Sequence, residues 1–269
     1  MLFDTHSHCY WDTLAPKIPE ILDEMKKYSI EYSTQIGCDL ETSQKAIDLT
    51  KKYPEVFFAT VGFHPTDCQD VDFDASENLR QKFVDLIESN REKVVAIGEC
   101  GLDFFHMSKD EETRKIQLKN QKKWWKWQIE LGKKYNLPLV IHTRDARDET
   151  IDFIIENDLQ KYILHCFSED IDMVEKLSKH SDDFMVSFSG IVTYKNAQKV
   201  QETVAKVPLE KILIETDSPF LAPQVVRGQE NNPANVRFVL EKICELRDKD
   251  PQIIEKAIFE NSCRVYGIK

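Results

Sequence analysis

The side chains best suited to chemistry stand almost at the start of the chain, in the segment DTHSH at residues 4–8. An apolar pair precedes the segment and a helix-like stretch follows at 14–28, which is the pattern of a strand that runs into a loop. Because side chains alternate between the two faces of a strand, His6 and His8 point to the same side, and Asp4 shares it. Two imidazoles on one face can bind one divalent cation. On its own the pattern is weak, because two histidines in a polar loop would look the same.

Length and composition describe an ordinary globular protein with room for a large core. The chain has 269 residues, of which 41% are hydrophobic and 31% charged. That length is close to the roughly 250 residues of a (β/α)8 barrel, which forms a single domain. With 36 basic and 47 acidic side chains the net charge is −11, so the overall field of the protein does not attract nucleic acid. Attraction for a polyanionic substrate would have to be local.

The cysteines and the N-terminus indicate a cytoplasmic protein. Seven cysteines are an odd number, they are widely spaced, and no two form a CxxC pair. This argues against a disulfide framework or a zinc–thiolate site and favours reduced thiols. The N-terminus lacks the basic and apolar regions of a signal peptide, and no apolar run approaches the length of a membrane span. We therefore expect a cytoplasmic monomer or weak dimer with no membrane association and no obligate protein partner.

Short apolar segments alternate with longer amphipathic ones along the whole chain, which predicts an α/β fold, a (β/α)8 TIM-like barrel, regular or distorted. Several apolar segments are continuous, such as VVAI at 94–97 and LVI at 139–141, as expected for parallel strands covered on both faces. A doubly wound open sheet is the alternative, but no glycine-rich phosphate loop follows the first strand. No repeat or linker divides the chain, so residues 1–269 are predicted to form one domain. Strands are predicted at 2–8, 31–37, 56–64, 94–103, 139–143, 162–167, 184–191 and 211–217, and helices at 14–28, 40–52, 75–91, 110–135, 145–157, 170–180, 195–206, 233–248 and 251–265.

The longest helical segment, at 109–134, combines an excess of basic residues with three tryptophans. We favour an outer barrel helix whose tryptophans are partly packed and whose lysines face solvent. The alternative is a nucleic-acid contact, in which aromatic rings stack on bases beside basic side chains. An outer helix lies far from the mouth of a barrel over most of its length, so only its N-terminal end could contribute to a site there.

The positions of the histidines and of two carboxylates point to a site at one end of this barrel. Five of the seven histidines fall at the predicted C-terminal ends of strands 1, 3, 5 and 6, Glu99 follows the apolar run of strand 4, and Asp217 ends strand 8. The carboxyl ends of the strands of a (β/α)8 barrel converge on one face, where active sites lie. Histidines scattered through a core would not segregate in this way. The five are His6, His8, His64, His142 and His165.

Nitrogen and oxygen donors in these positions indicate a centre with two divalent cations. The two histidines of strand 1 and Asp217 come from strands 1 and 8, which become neighbours when the barrel closes. His142 and His165 come from neighbouring strands 5 and 6, and Glu99 on strand 4 can bridge the two groups with its two oxygens. Such ligands admit Zn²⁺, Mn²⁺, Fe²⁺ or Mg²⁺ without distinguishing among them. The plainer alternatives are a salt bridge for Glu99 and a helix cap or turn for Asp217.

Seven motifs carry a resemblance that covers the whole chain. In order they are DTHSH (4–8), VGFHP (61–65), IGECGLDFF (97–105), VIHTRDA (140–146), LHCFS (164–168), SFSGIVTYKNA (187–197) and ETDSPFLAP (215–223). Together they resemble the TatD-type metal-dependent deoxyribonucleases of the amidohydrolase superfamily. The resemblance implies the barrel fold, a dinuclear metal site, and hydrolysis of DNA from the 3′ end, usually supported by Mg²⁺.

The resemblance also implies which residues bind each metal ion. The first ion would be held by His6, His8, Glu99 and Asp217, and the second by Glu99, His142 and His165. The chain departs from the family pattern at 106–112 and in the loop after strand 8, at 227–233. Both segments border the pocket, so the departures bear on substrate preference and leave the metal ligands intact.

Glu99 and Asp217 are the predicted catalytic residues. A water ionised by the metals attacks the scissile phosphorus, and Asp217, besides being a ligand, accepts the proton of that water. Asp103 and Glu215 share the inward period of the ligands, and we expect them to orient imidazoles rather than to bind metal.

Three further residues are predicted to contact substrate. Arg144 and Arg227 are candidate phosphate clamps, because the guanidinium group matches the geometry of a phosphate. A surface salt bridge is an equal alternative for Arg227. His64 is expected to contact substrate or to orient a ligand, with a structural hydrogen bond as the alternative.

The sequence thus predicts a divalent-metal-dependent hydrolase of DNA phosphodiester bonds, a 3′–5′ exodeoxyribonuclease with two ions (Mg²⁺, Zn²⁺ or Mn²⁺), acting on single-stranded DNA or 3′ ends. The alternative is a metal-dependent hydrolase of a small amide, lactone or acyl ester, because fold and metals do not determine the substrate. A non-catalytic metal-binding scaffold is a further alternative, and it would have a closed coordination shell with no position for water.

Overall fold

Eight parallel strands form one sheet in sequential order in the computed structural model, which describes residues 1–269. Helices on the outside connect each strand to the next, so the predicted (β/α)8 barrel is confirmed. The open-sheet alternative is wrong. The strands are β1 (Leu2–Ser7), β2 (Ile30–Gln35), β3 (Phe57–Val61), β4 (Val94–Asp103), β5 (Leu139–Arg144), β6 (Tyr162–Leu164), β7 (Phe184–Phe188) and β8 (Ile212–Ile214).

Ten α-helices accompany the strands, nine of them in the predicted places. Side chains cap several of their N-termini; Asp39 accepts from the Thr42 amide (2.7 Å) and Asp110 from the Thr113 amide (2.9 Å). The unpredicted helix is a single turn that begins with Pro65, a residue favoured in the first turn of a helix. The helices are α1 (Ile18–Lys27), α2 (Leu40–Lys52), α3 (Pro65–Cys68), α4 (Glu77–Glu88), α5 (Glu111–Tyr135), α6 (Arg147–Glu156), α7 (Ile171–Ser178), α8 (Gln198–Lys206), α9 (Val236–Leu246) and α10 (Pro251–Tyr266).

Strands β6, β7 and β8 end earlier than the apolar pattern predicts, because the backbone turns at the mouth of the barrel. After β6, Cys166 has φ 46°, and after β8, Asp217 has φ 55°. Both values lie in the left-handed region, which interrupts a strand. The residues that follow β7 form a 3₁₀ helix at Gly190–Thr193. Turns just beyond the strands, rather than the strands themselves, therefore carry the last polar residues of this face.

The barrel closes between β1 and the segment that follows β8. The Asp217 amide donates to the His6 carbonyl (2.9 Å), and the His8 amide donates to the Ser218 carbonyl (2.8 Å). Ser7 and Ser218 form a parallel bridge between these two bonds. Predicted site residues thus supply the backbone groups that form the seam of the barrel.

Asp4 belongs to this seam and not to the group formed by His6 and His8. Its carboxylate accepts from the Thr216 amide (2.7 Å) and from the Thr216 hydroxyl (2.8 Å). The prediction that Asp4 lies beside the two histidines is therefore wrong. The register of β1 against β2 shifts between Asp4 and Ser7, so strict alternation does not hold across this segment.

The amino end of the barrel is filled by apolar side chains and closed by α10. The Tyr266 ring lies 5.6 Å from the Phe3 ring, and the Tyr266 hydroxyl donates to the Thr5 carbonyl (2.8 Å). A larger apolar layer lies between the sheet and the surrounding helices. The solid amino end leaves the carboxyl end as the open mouth. None of the helices combines the length and the apolar character needed to cross a membrane.

Helix α5 is an outer barrel helix, as the favoured interpretation of its sequence predicts. Trp124 and Trp125 are fully buried, and the Trp125 ring stacks on Phe153 with centroids 4.5 Å apart. Several basic residues of this helix pair with carboxylates, such as Lys134 with Glu88 (3.0 Å). The aromatic and basic residues therefore do not form a joint surface for nucleic acid.

Replacement of Trp125 by alanine is expected to lower the free energy of unfolding by about 3–5 kcal/mol, because it removes a buried indole and leaves a cavity. Urea denaturation followed by circular dichroism measures this loss. The matched control is Lys126→Ala, the exposed next residue of the same helix, which should stay within about 0.5 kcal/mol of wild type. A loss of less than about 1 kcal/mol for Trp125→Ala would contradict this account of the packing.

Candidate metal centre

Six predicted ligands converge at the mouth of the barrel although they come from five different strands or strand ends. His6 exposes 1% of its surface and Glu99 4%, whereas the Asp217 side chain exposes 16%. The group therefore has a buried floor and an open side formed by Asp217. Its members are His6 on β1, His8 after β1, Glu99 on β4, His142 on β5, His165 after β6 and Asp217 after β8.

One half of the group surrounds the space between β1 and β8. The Oδ1 atom of Asp217 lies 3.5 Å from His6 Nε2 and 3.3 Å from His8 Nε2. His6 Nε2 also lies 3.4 Å from Glu99 Oε2. Two nitrogens and two carboxylate oxygens thus face one another at distances slightly longer than ordinary hydrogen bonds.

The other half of the group surrounds the second oxygen of Glu99. His142 Nδ1 and His165 Nε2 each lie 3.0 Å from Glu99 Oε1. Because Oε2 faces His6 and Oε1 faces these two imidazoles, Glu99 stands between the two halves. This is the arrangement that a carboxylate bridging two cations requires.

Hydrogen bonds from outside the group determine which nitrogen of His142 and of His165 faces inward. His142 Nε2 donates to Asp103 Oδ2 (3.1 Å), and His165 Nδ1 donates to Glu215 Oε1 (3.0 Å). Because each outer nitrogen keeps its proton, the inner nitrogen that faces Glu99 is the one that can give up its proton and offer a lone pair to a cation. The Cys166 amide also donates to Glu215 (2.8 Å) and fixes that carboxylate.

Tyr10 performs the same task for His8, and it was not among the predicted site residues. The Tyr10 hydroxyl donates to the Ile36 carbonyl (2.6 Å) and therefore accepts from His8 Nδ1 (2.9 Å). Nε2 is then the His8 nitrogen that faces Asp217 and that can offer a lone pair to a cation. The only signal in the sequence is that Tyr10 follows His8 by two residues, which is common for unrelated residues too.

Opposite charges keep the carboxylates of the group ionised in spite of burial. Burial works to raise the pKa of Glu99, but the imidazoles of His165 and His64 outweigh it and hold that pKa well below its usual range. Burial also works to raise the pKa of Asp217, but its contacts with His8 and His6 outweigh burial and lower that pKa. Both carboxylates are therefore anionic at neutral pH, as ligands of a cation would have to be.

The imidazoles of His6 and His165 differ in their affinity for protons. Burial and the neighbouring His165 lower the pKa of His6, which keeps that imidazole neutral. Burial works in the same direction on His165, but Glu99 and Glu215 outweigh it and raise the pKa of His165 well above its usual value. A cation beside Glu99 therefore competes with a proton on His165.

The donors fit a bound divalent cation better than they fit one another. Both nitrogens of His6 lack a hydrogen-bond partner although the residue is buried, which is costly in a protein interior. Two ligand atoms about 2.1 Å from one ion at the tetrahedral angle stand about 3.4 Å apart. The separations of 3.3–3.5 Å around His6, His8 and Asp217 match that value. Nitrogen and carboxylate donors suit Zn²⁺ and Mn²⁺, and carboxylates also suit Mg²⁺.

Two further residues border the group, and only one of them was a predicted site residue. His64 Nε2 lies 3.3 Å from Glu99 Oε1, so His64 reaches the centre itself and not only its rim. The Cys38 thiol lies within 4.8 Å of donor atoms of His8 and Glu99. The sequence offered no signal for Cys38 apart from its position just after a predicted strand.

The two predicted phosphate clamps are exposed at the mouth and do not touch the six ligands. The Arg144 guanidinium lies 3.9 Å from the centroid of the Phe105 ring, and that of Arg227 lies 4.7 Å from the Tyr194 ring. Neither guanidinium lies within 4.0 Å of a carboxylate. The alternative of a surface salt bridge for Arg227 is therefore wrong.

The strand ends of this (β/α)8 barrel bring imidazoles and carboxylates together. The fold and the site thus define a class of protein, namely barrels with a metal-binding centre at the carboxyl mouth. Comparison with known proteins narrows this class to one family. The family of TatD related DNases matches residues 3–267, and the chain therefore belongs to the TatD family.

Relatives with similar names and folds support this assignment. YabD of Bacillus subtilis, which is named a metal-dependent hydrolase, is 33% identical over 270 residues that cover 100% of both chains. YcfH of Escherichia coli K12, named in the same way, is 32% identical and covers 99% of this chain and 97% of its own. The crystal structure of YjjV, a TatD homologue from Escherichia coli K12, has a TM-score of 0.89 at 24% identity and covers 100% of this chain and 98% of that one. Its fold is the same barrel.

Glu215→Gln is expected to weaken binding of Zn²⁺ about tenfold, because the charged acceptor that fixes the proton of His165 is lost while the volume is kept. Competition with a chromophoric chelator measures the affinity. Glu210→Gln, an exposed substitution five residues earlier, is the matched control and should bind as wild type does. Unchanged affinity in Glu215→Gln would show that this carboxylate does not support a ligand.

Proposed function

We propose that the protein is a metal-dependent hydrolase that cleaves phosphodiester bonds of DNA, as a 3′–5′ exodeoxyribonuclease with two divalent cations. The observation that carries the proposal is Glu99, whose two oxygens face different sets of imidazoles 3.0–3.4 Å away. A bridging carboxylate between two cations suits in-line displacement at phosphorus. The DNase named in the family description and the metal-dependent hydrolases among the relatives support the same reading.

The six ligands divide between the two cations. His6, His8, Glu99 and Asp217 would hold the first, and Glu99, His142 and His165 the second. The ions supply Lewis-acid stabilisation of the phosphoryl oxygens and lower the pKa of bound water. Two divalent cations against two carboxylates leave a local charge of about +2, which attracts a phosphodiester to a protein whose net charge is −11.

In this proposal Asp217 accepts the proton of the attacking water, and its exposure and charge support that role. It is the most exposed carboxylate of the group, with 16% of its side chain open, and its lowered pKa keeps it ionised. Glu99 is almost fully enclosed, so its role is confined to binding the two ions. A proton held on Asp217 can be passed to solvent or to the leaving oxygen.

His64 suits the substrate better than it suits a cation. The Thr66 amide donates to His64 Nδ1 (3.2 Å), so Nδ1 is an acceptor and the proton of the ring stays on Nε2. Nε2 faces the centre, 3.3 Å from Glu99. An N–H group directed at this point donates to a phosphate oxygen, whereas a metal ligand would need the lone pair.

Arg144 and Arg227 complete the proposed substrate contacts. Both are exposed at the mouth, each lies against an aromatic ring, and no carboxylate binds the edge of either guanidinium group. The edge carries the parallel donors that match two oxygens of a phosphate. Arg144 is the last residue of β5 and Arg227 lies in the segment after β8, so the two can hold phosphates on different sides of the centre.

The first test is shortening of a 5′-labelled single-stranded DNA by metal-stripped protein with Mg²⁺, Mn²⁺ or Zn²⁺ added back. We expect a ladder that grows from the 3′ end, needs the metal, and falls to about one-thousandth of its rate in Glu99→Gln. Glu92→Gln, an exposed substitution just before β4, is the control and should match wild type. Full activity in Glu99→Gln would rule out the bridging role. If protein with two bound equivalents of metal leaves DNA intact, the substrate is to be sought among small esters and amides.

Arg144→Ala is expected to raise the KM for DNA about tenfold and to reduce the slope of log KM against log salt by about 0.7, because one phosphate contact is lost. Arg227→Ala should behave in the same way. Lys126→Ala, which removes an exposed charge from the outer helix α5, serves as the control for net charge. An unchanged salt slope in both arginine variants would place them outside the DNA contact.

A further inference from the structure

Two aromatic side chains stand exposed beside the metal centre. Trp11 exposes 44% of its surface and Phe220 exposes 46%. Their rings meet edge to face with centroids 5.3 Å apart, and the Phe220 ring lies 6.3 Å from the ring of His8. The other three tryptophans of the chain lie on α5 and are buried or half-buried. Trp11 is thus the one exposed indole, and it stands next to a proposed ligand.

The backbone holds these two side chains in place. The Trp11 amide donates to the His8 carbonyl (3.1 Å), and the Phe220 amide donates to the Asp217 carbonyl (2.9 Å). The Phe220 carbonyl accepts from the side-chain amide of Asn231 (2.7 Å). Each aromatic residue is therefore hydrogen-bonded through its backbone to a residue of the metal centre, so its exposed ring is held in place.

We propose that Trp11 and Phe220 form a stacking platform for an unpaired nucleobase of the strand whose phosphodiester lies at the metal centre. This inference rests on the proposed nuclease function and names the part of the substrate that the site recognises. Every base has an apolar face that stacks on an aromatic ring, so the platform binds without regard to sequence. A base inside a duplex is already covered on both faces, so the platform selects a frayed or single-stranded end.

The charges at the mouth fit a nucleic-acid strand rather than another protein surface. Arg144 and Arg227 present unpaired guanidinium groups at the same mouth, each stacked on an aromatic ring. A mouth that carries both exposed aromatic rings and unpaired basic groups offers partners for the bases and for the phosphates of a single strand. An apolar protein partner would leave both arginines without an acceptor.

The experiment uses a phosphorothioate hexathymidylate, which resists hydrolysis, and follows its binding to the metal-loaded protein. In wild type, binding should quench the fluorescence of Trp11 and make it inaccessible to iodide. The Kd measured by anisotropy of the labelled strand should rise about tenfold in Trp11→Ala and in Phe220→Ala. Trp11→Phe keeps a ring, so it should lose the quenching signal and retain a Kd within about twofold of wild type.

Ile253→Ala is the matched control, because Ile253 is also exposed (58%) but lies on α10, away from the mouth. Equal Kd values in wild type, Trp11→Ala and Phe220→Ala would overturn the platform. So would a loss in Trp11→Phe as large as that in Trp11→Ala, since stacking would then not be the cause. Quenching without cleavage of unmodified hexathymidylate would retain the platform and reject the nuclease. Cleavage of unmodified hexathymidylate without quenching, with both alanine variants unaffected, would retain the nuclease and reject the platform.

Discussion

The burial of one carboxylate, that of Glu99, is the constraint on which the rest of this mouth depends. An anion enclosed to this degree is unstable unless positive or hydrogen-bonding groups surround it on every side. The chain meets this need with imidazoles from four strands or strand ends, each within 3.4 Å of one oxygen. The same arrangement that stabilises the anion creates two adjacent sets of nitrogen and oxygen donors.

Four imidazoles at this mouth, all except that of His6, have a neighbouring residue that fixes the position of their proton. Asp103, Glu215 and Tyr10 each accept a hydrogen bond from the outer nitrogen of one histidine. Thr66 instead donates a hydrogen bond to the outer nitrogen of His64. Three rings therefore have an inner nitrogen that can offer its lone pair to a cation, and the fourth directs an N–H group inward. This difference in polarity separates groups suited to cations from a group suited to an anionic substrate.

The sequence was sufficient for the fold and for the convergence of the six predicted ligands, because both follow from strand order. Parallel strands must end on one face, so a polar residue at a strand end can be placed without knowledge of its contacts. Contacts that depend on side-chain direction could not be predicted in this way. The Asp4 side chain lies at the seam because the register of β1 shifts. Cys38 and Tyr10 lie near the centre because of turns whose geometry leaves no pattern in the sequence.

The seam of the barrel has a consequence for how the protein is made. His6 and Asp217, joined there by a backbone hydrogen bond, stand at opposite ends of the order of synthesis. During synthesis, β1 carries its two histidines and one unpaired edge until the segment after β8 leaves the ribosome. Contacts of such long sequence separation form late in folding. The complete set of proposed ligands thus comes together only when the ring of strands is joined, so binding of a cation by the full set would follow closure of the barrel.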